Sequence, residues 1–148
     1  MKLSTKARYA VMAMFDLSVH DRGPLALADI AEAQGISLSY LEQIFALLRE
    51  KKLVEGVRGP GGGYRLGRPA KEITLAEVIS AVEESLGREE GEQSDILSRK
   101  LWSAFSGDLY SYLNSITLAD FLDDGAHQDI IKSHQANWGK YQYNASAA

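Results

Sequence analysis

Six residues, Arg58-Gly59-Pro60-Gly61-Gly62-Gly63, separate the apolar flanks Leu53–Val57 and Tyr64–Leu66. Four glycines in so short a stretch cost much backbone entropy on folding, so the chain conformation there must require them. Glycine-rich turns commonly cradle phosphates or close hairpins. A phosphate-binding P-loop needs a Lys-Ser/Thr pair after its glycines, whereas Gly63 is followed by Tyr64 and Arg65. A dinucleotide-binding turn needs a strand before it and a helix after it, and here strand character lies on both sides. The stretch therefore reads as a hairpin tip, in which glycines accept positive φ and Pro60 fixes its own.

What precedes the hairpin gives it a role. The segment LADIAEAQGISLSYLEQIF, Leu27–Phe45, has the pattern of a helix–turn–helix. Ala31 is small enough for a helix crossing, and Gly35 makes the turn four residues later. LALADIAEAQG, Leu25–Gly35, is expected to be a short helix closed by Gly35. The next helix carries Leu41, Ile44, Phe45 and Leu48 on its core face, with either Ser37 or a Ser39/Glu42 capping box at its start. That leaves Ser39, Tyr40, Glu42 and Gln43 outward near the helix N-terminus. In a major groove Glu42 suits a cytosine amino group and Gln43 an adenine, while the Ser39 and Tyr40 hydroxyls suit phosphate oxygens. Glu42 equally suits a plain cap at the positive end of the helix dipole. A hairpin directly after such a unit is a wing, and Arg58 at its tip suits a narrow minor groove. Lys2, Lys6 and Arg8 offer phosphate contacts or a solvated face.

The remaining pattern is mostly helical. Residues 3–19 read as a helix with Tyr9, Met12, Ala13, Phe15 and Val19 as apolar contacts, ended by a turn at Asp21–Pro24. Thr74 is expected to cap a helix bearing Leu75, Val78, Ile79 and Val82. Beyond a polar, acidic connection, Leu97, Leu101, Phe105, Leu109, Tyr112, Leu113 and Ile116 recur at helical steps, a seam larger than one small domain needs. TLADFLDD follows as a short helix, and the stretch from Gly125 reads as a tail. The chain of 148 residues carries ten Lys/Arg against seven Asp/Glu in residues 1–70, but six against thirteen in 71–148. An anionic partner is thus expected for the first half only. No stretch approaches the roughly 18 unbroken apolar residues of a membrane span, and Asp16 interrupts the N-terminal apolar run, which argues against a signal peptide. There is no cysteine, a composition compatible with a cytoplasmic location. No G-x-S-x-G elbow or H-E-x-x-H pair occurs, so an enzyme is not expected.

MKLSTKARYAVMAMFDL, LADIAEAQGISLSYLEQIFALLREKKLVEGVRGPGGGYRLG and EVISAVEES closely resemble the IscR family of dimeric winged helix–turn–helix transcriptional regulators, to which NsrR, RirA and CymR also belong. The match runs from residue 1 to about 85, resumes at Leu101–Trp102 and includes NSITLADF at 114–121. The resemblance implies a mostly α-helical fold, a winged helix–turn–helix with a long C-terminal dimerisation helix. It implies a homodimer binding double-stranded DNA at a two-fold-related operator, with repression as the expected outcome. Its recognition face would be Ser39, Tyr40, Glu42 and Gln43, which favours base reading by Glu42. Arg58, Gly59 and Pro60 would be the wing contacts. With their neighbours, the expected DNA-binding set is Lys6, Arg8, Ser37, Ser39, Tyr40, Glu42, Gln43, Arg58, Gly59, Pro60 and Gly61. The expected dimerisation set is Leu101, Trp102, Phe105, Leu109, Tyr112, Leu113 and Ile116. By the same token residues 1–84 form the DNA-binding domain, 85–95 a connecting loop, 96–124 the dimerisation helices and 125–148 the tail.

One family property does not carry over. The resemblance implies a [2Fe–2S] cluster held by three cysteines and a histidine before the dimerisation helix, and thiolates suit that unit as no other side chain does. Alignment on Leu101–Trp102 puts Ile96 at the last cysteine position and Arg99 at the histidine position. The other ligand positions fall in LGREEGEQSD, which is acidic and shorter than the family's loop. Glu89, Glu90, Glu92 and Asp95 read as solvated linker residues, and His20, His127 and His134 are scattered surface residues. No cofactor or metal is therefore expected. Control through a regulatory protein partner, or constitutive DNA binding, takes the cluster's place. The rival from another class is an interaction module that keeps the dimer scaffold without reading DNA.

Overall fold

The structure, a computed structural model, describes residues 4–20, 23–83, 95–123, 128–129 and 131–133. Most of the connecting loop and of the C-terminal tail expected from the sequence, and Lys2, lie outside these residues. Helix α1 (Thr5–Val19) is the central element. Ser4 caps it by accepting the Ala7 N–H at 3.0 Å on its hydroxyl. Its core face is Ala7, Ala10, Ala13, Met14 and Leu17, all buried. Of the contacts read in the sequence, Ala13 is buried and Tyr9 and Phe15 are half-buried against the core, whereas Met12 is 46% exposed. Three alanines at helical spacing let neighbouring helices approach α1 closely, a contact that large-residue periodicity does not reveal.

Helix α2 (Leu27–Gln34) ends at Gly35, which takes the left-handed conformation (φ 67°) expected of it. Helix α3 (Leu38–Glu50) is capped by Ser37, whose hydroxyl accepts the Tyr40 N–H at 3.2 Å, so the Ser39/Glu42 alternative is not formed. Leu41, Ile44, Phe45 and Leu48 are all fully buried, as the periodicity predicts. The end of α3 is a Schellman cap: Lys52 N–H bonds Arg49 O at 2.9 Å and Leu53 N–H bonds Leu48 O at 3.0 Å. This forces the exposed Lys52 into the left-handed region (φ 61°), where the structure has no other non-glycine among the described residues. Lys52→Gly is expected to stabilise the fold by about 0.5–1 kcal/mol, read as a Tm raised by about 2–3 °C in thermal unfolding. A lowered Tm would show that the lysine side chain contributes more than its strained backbone costs.

Strands β1 (Val54–Val57) and β2 (Gly63–Leu66) pair antiparallel, with Val57 opposite Gly63 at the tip. On the other edge of β2, Leu25 and Tyr64 exchange both backbone hydrogen bonds, at 2.9 and 2.8 Å. Leu25 therefore forms a single bridge to β2 and does not start the helix expected from Leu25–Gly35, and Ala26 is extended (φ −73°, ψ 138°). A 3-10 turn (Ala70–Glu72) leads to α4 (Leu75–Val82), where Thr74 and Glu77 form a reciprocal capping box. Helix α5 (Ile96–Asn114) and helix α6 (Leu118–Asp123) complete the described chain. Ile73–Leu75 and Ile116–Leu118 are stitched by a β-bridge between Thr74 and Thr117 and by two flanking backbone bonds. Through this clasp α6 places Leu118, fully buried, in the core formed by α1, α3 and α4. No helix among the described residues is long and apolar enough to cross a membrane.

Candidate nucleic-acid interface

The exposed N-terminal end of α3 presents Ser39, Glu42 and Gln43, while Ser37 is exposed with its oxygen engaged in the cap. Tyr40 is half-buried because its ring meets Tyr9 of α1 edge to face, with centroids 6.0 Å apart. This contact sets the start of α1, with Arg8 exposed and Lys6 half-buried, beside the start of α3. From the other side, Phe45 of α3 packs against Tyr64 of β2 at 5.0 Å, which joins the wing to the same helix.

At the wing tip Arg58, Gly59, Pro60 and Gly61 are all exposed. Gly62 N–H bonds Gly59 O at 2.9 Å to close the turn, and Gly61 takes φ 73°, a value that favours glycine. Gly63 has a different reason to be glycine. A Cβ there would lie 2.1 Å from Leu25 O and 2.4 Å from Leu25 C, so the Leu25–Tyr64 pairing exists only because no side chain intervenes. Charges along the wing are sorted. Arg65 pairs with Glu55 across the strands at 3.2 Å, and Arg68 pairs with Glu77 of α4. Arg58 makes no ion pair among the described residues, which leaves its guanidinium available to an external anion.

Sequence reasoning misses one contributor. Asp16 on α1 is only 2% exposed, and its carboxylate accepts Gln34 Nε2–H at 2.8 Å. Gln34 is the last residue of α2, just before the Gly35 turn, so this bond ties the helix–turn–helix to α1. The sequence offered Asp16 only as an interruption of an apolar run. Its neighbours Ala13 and Leu17, on the same helical face, were the available signal.

The expected dimerisation residues divide into two groups. Leu101 (63% exposed), Trp102 (46%), Phe105 (50%) and Tyr112 (64%) form an apolar stripe, continued by Leu97 (67%). The Trp102 and Phe105 rings stack with centroids 5.7 Å apart. Leu109, Leu113 and Ile116 are half-buried, and Leu113 packs on the protomer's own core rather than standing free for a partner. α5 contains no buried residue at all. At its start, Asp95 caps the helix by accepting Ser98 N–H at 2.6 Å; this bond to the Ser98 backbone holds the Asp95 carboxyl below its ordinary value. Arg99 and Lys100 follow, two cations that cannot ligate iron, and no group of three potential metal ligands occurs among the described residues. The residues at the position of the family's cluster do not fit that cofactor.

Residues 3–124 match the family described as Rrf2, iron-dependent transcriptional regulator. The chain is 47% identical over 149 residues to a putative HTH-type transcriptional regulator, ORF2, of Azotobacter vinelandii, which covers 94% of this chain and 90% of that protein. It is 50% identical over 132 residues to the HTH-type transcriptional regulator IscR of Pectobacterium atrosepticum, with coverage of 84% and 80%. Among solved structures, T. potens IscR superposes with a TM-score of 0.71 at 42% identity, covering 84% of this chain and 88% of that one. CymR, the global cysteine regulator of B. subtilis, superposes with a TM-score of 0.70 at 36% identity, covering 81% and 95%.

Proposed function

Because the chain belongs to the Rrf2 family of transcriptional regulators, we propose that it reads a two-fold-related operator as a homodimer through α3 and the wing. It works without a cysteine-ligated cluster. The observation that carries this reading is the sorting of charge on the wing, where Arg65 and Arg68 are neutralised internally and Arg58 is held out at a glycine-lined tip. Exposed Glu42 and Gln43 supply base-reading chemistry, and Ser37, Ser39, Tyr40, Lys6 and Arg8 supply phosphate contacts. Gly59, Pro60 and Gly61 allow the wing backbone to approach the duplex. The exposed stripe on α5 supports pairing with a second copy, and a two-fold dimer matches a two-fold operator. The chain acts in the cytoplasm, where such an operator lies. Regulation falls to a protein partner or small ligand rather than to a [2Fe–2S] cluster, since the chain contains no cysteine.

The test is a DNA titration across salt concentrations and across operators altered base by base. Arg58→Ala is expected to weaken binding about tenfold or more at physiological salt and to flatten the salt dependence. Glu42→Ala is expected to relax preference at one base pair, worth about 1–3 kcal/mol of discrimination, with a smaller loss of overall affinity. An unchanged ranking of operators for Glu42→Ala would reject its base-reading role. Negligible, salt-insensitive binding by the wild type would instead favour a dimeric interaction module that does not read DNA.

A further inference from the structure

The wing is held to the rest of the protomer at two places. The first is Tyr64, whose backbone pairs with Leu25 and whose ring meets Phe45 of α3. The second is the exit of β2, where Gly67 N–H bonds Leu53 O at 2.9 Å and Arg68 reaches Glu77 of α4. The Arg68 guanidinium also donates through Nη1 to Glu72 O at 3.3 Å. The Arg65–Glu55 pair is exposed and lies inside the ribbon, so it cannot orient the ribbon on the protomer. Arg68 and Glu77 are both half-buried, and α4 is anchored in the core by Val78, Ile79 and Val82.

Glu77 divides its carboxylate between two tasks. Oε2 accepts from Arg68, while Oε1 accepts the Thr74 N–H at 3.4 Å and closes the capping box. The Thr74 hydroxyl accepts the Glu77 N–H at 3.2 Å and has two acceptors in reach, Asn114 Oδ1 at 3.0 Å and Glu77 Oε1 at 3.4 Å. Asn114 is the last residue of α5. A continuous polar chain therefore runs from the exit of the wing, through one carboxylate, to the end of the long helix. With Tyr64 held, the position of Arg68 sets the tilt of the ribbon. Arg68 follows Tyr64 by four residues, at most about 13 Å of extended chain, and the tip lies a similar distance to the other side. A shift of about 1 Å at the exit is thus passed to Arg58 at nearly full size, enough to carry a hydrogen bond out of range.

We infer, on the reading of the wing as a DNA contact, that Glu77 is the positioning residue of the wing. By holding Arg68 it keeps Arg58 within reach of the duplex, and through Thr74 the end of α5 acts on the same carboxylate. Neither Glu77 nor Arg68 touches DNA in this arrangement.

The decisive variant is Glu77→Gln. Glutamine serves this position of a capping box as glutamate does, but it has a single acceptor oxygen. With that oxygen kept by Thr74, its amide N–H groups face the guanidinium and the hold on Arg68 is lost. The full chain is titrated, across salt concentrations, with a duplex selected from random sequence by the wild type. Glu77→Gln is expected to weaken binding about tenfold, as Arg58→Ala does, with far-UV circular dichroism unchanged. In the Glu77→Gln background Arg58→Ala is expected to cost less than a further twofold, and the salt dependence falls by the same amount in both single variants and in the double. General destabilisation would instead add to the loss from Arg58→Ala, so additive losses overturn the proposal. Tighter binding by Glu77→Gln overturns it too, because the freed Arg68 would then be a DNA contact in its own right. In Asn114→Ala the Thr74 hydroxyl turns to Oε1 and draws the carboxylate toward the cap. That variant is expected to weaken binding two- to threefold in the wild type and not further in Glu77→Gln; an additive loss there overturns the link to α5. Should Glu77→Gln perturb folding, Arg68→Gln replaces it and must show the same non-additivity with Arg58→Ala. Negligible binding by the wild type would overturn the DNA reading together with the role of Glu77, whereas additive losses from a tightly binding wild type overturn the role of Glu77 alone.

Discussion

Replacing Gly63 with alanine is expected to lower stability by about 3 kcal/mol and Tm by about 10 °C. A methyl group at this position meets Leu25 O at 2.1 Å, Leu25 C at 2.4 Å and Ala26 N at 2.8 Å, all backbone atoms that cannot rotate away. The sheet must open there, and both hydrogen bonds between Leu25 and Tyr64 are lost. Leu25 is 2% exposed, so its freed N–H and C=O remain largely shielded from water. Each bond costs about 1 kcal/mol net, and each orphaned group adds desolvation. Because Tyr64 also packs on Phe45 of α3, the wing loses its alignment with the recognition helix, and DNA affinity is expected to fall at least tenfold. The internal control is Gly61→Asn. Gly61 also has positive φ, but a Cβ there meets nothing within 4 Å, and asparagine tolerates the left-handed region. That variant is expected to melt within about 2 °C of wild type. Thermal unfolding of the pair decides the matter: a Gly63→Ala melting curve superimposed on wild type would show that the close approach to Leu25 is not required.

This difference between two glycines marks a boundary of what the chain's pattern discloses. The hairpin was legible because four glycines and a proline lie between apolar flanks, and the helix–turn–helix was legible because Gly35 follows Ala31 by four residues before a strongly periodic helix. Such features depend on neighbours close in sequence. The contact between Gly63 and Leu25 spans 38 positions of chain, and Leu25 carries no strand pattern because it is a single bridge residue. The partner of Asp16 was illegible for a related reason: Gln34 lies on another helix. The face of α1 is only partly legible: Ala13, Tyr9 and Phe15 meet the core as expected, but Ala7 and Ala10 carry little weight beside Met12, although small residues govern how closely helices approach. On the candidate interface the outward placement of Ser39, Glu42 and Gln43 followed from the buried set opposite them. The internal pairing of Arg65 and Arg68, which singles out Arg58, emerged only from the register of β1 with β2 and the packing of α4.

The stripe on α5 carries the other large effect. A Leu101→Asp/Phe105→Asp double variant is expected to be monomeric at micromolar concentration and to bind a two-fold operator about a hundredfold or more weakly than wild type. Leu97, Leu101, Trp102, Phe105 and Tyr112 are each between 46% and 67% exposed in a single chain, an apolar extent that a lone protomer leaves in water. Covering a large side chain contributes about 1.5–3 kcal/mol, and a two-fold interface uses each contact twice. Two buried carboxylates per protomer, facing their counterparts, reverse that gain. The fold itself should survive, because neither residue is buried within the protomer and the clasp between Ile73–Leu75 and Ile116–Leu118 lies at the far end of the helix. Operator affinity falls because each half-site is then engaged separately, without the effective concentration that linkage provides. Sedimentation equilibrium of the variant, circular dichroism and titration of full and half operators separate these claims. Monomers with native helix content and equal affinity for full and half sites are the expected outcome. A double variant that remains dimeric would place the interface elsewhere, and one that is monomeric yet binds the full operator as tightly as wild type would show that DNA reading does not depend on the dimer.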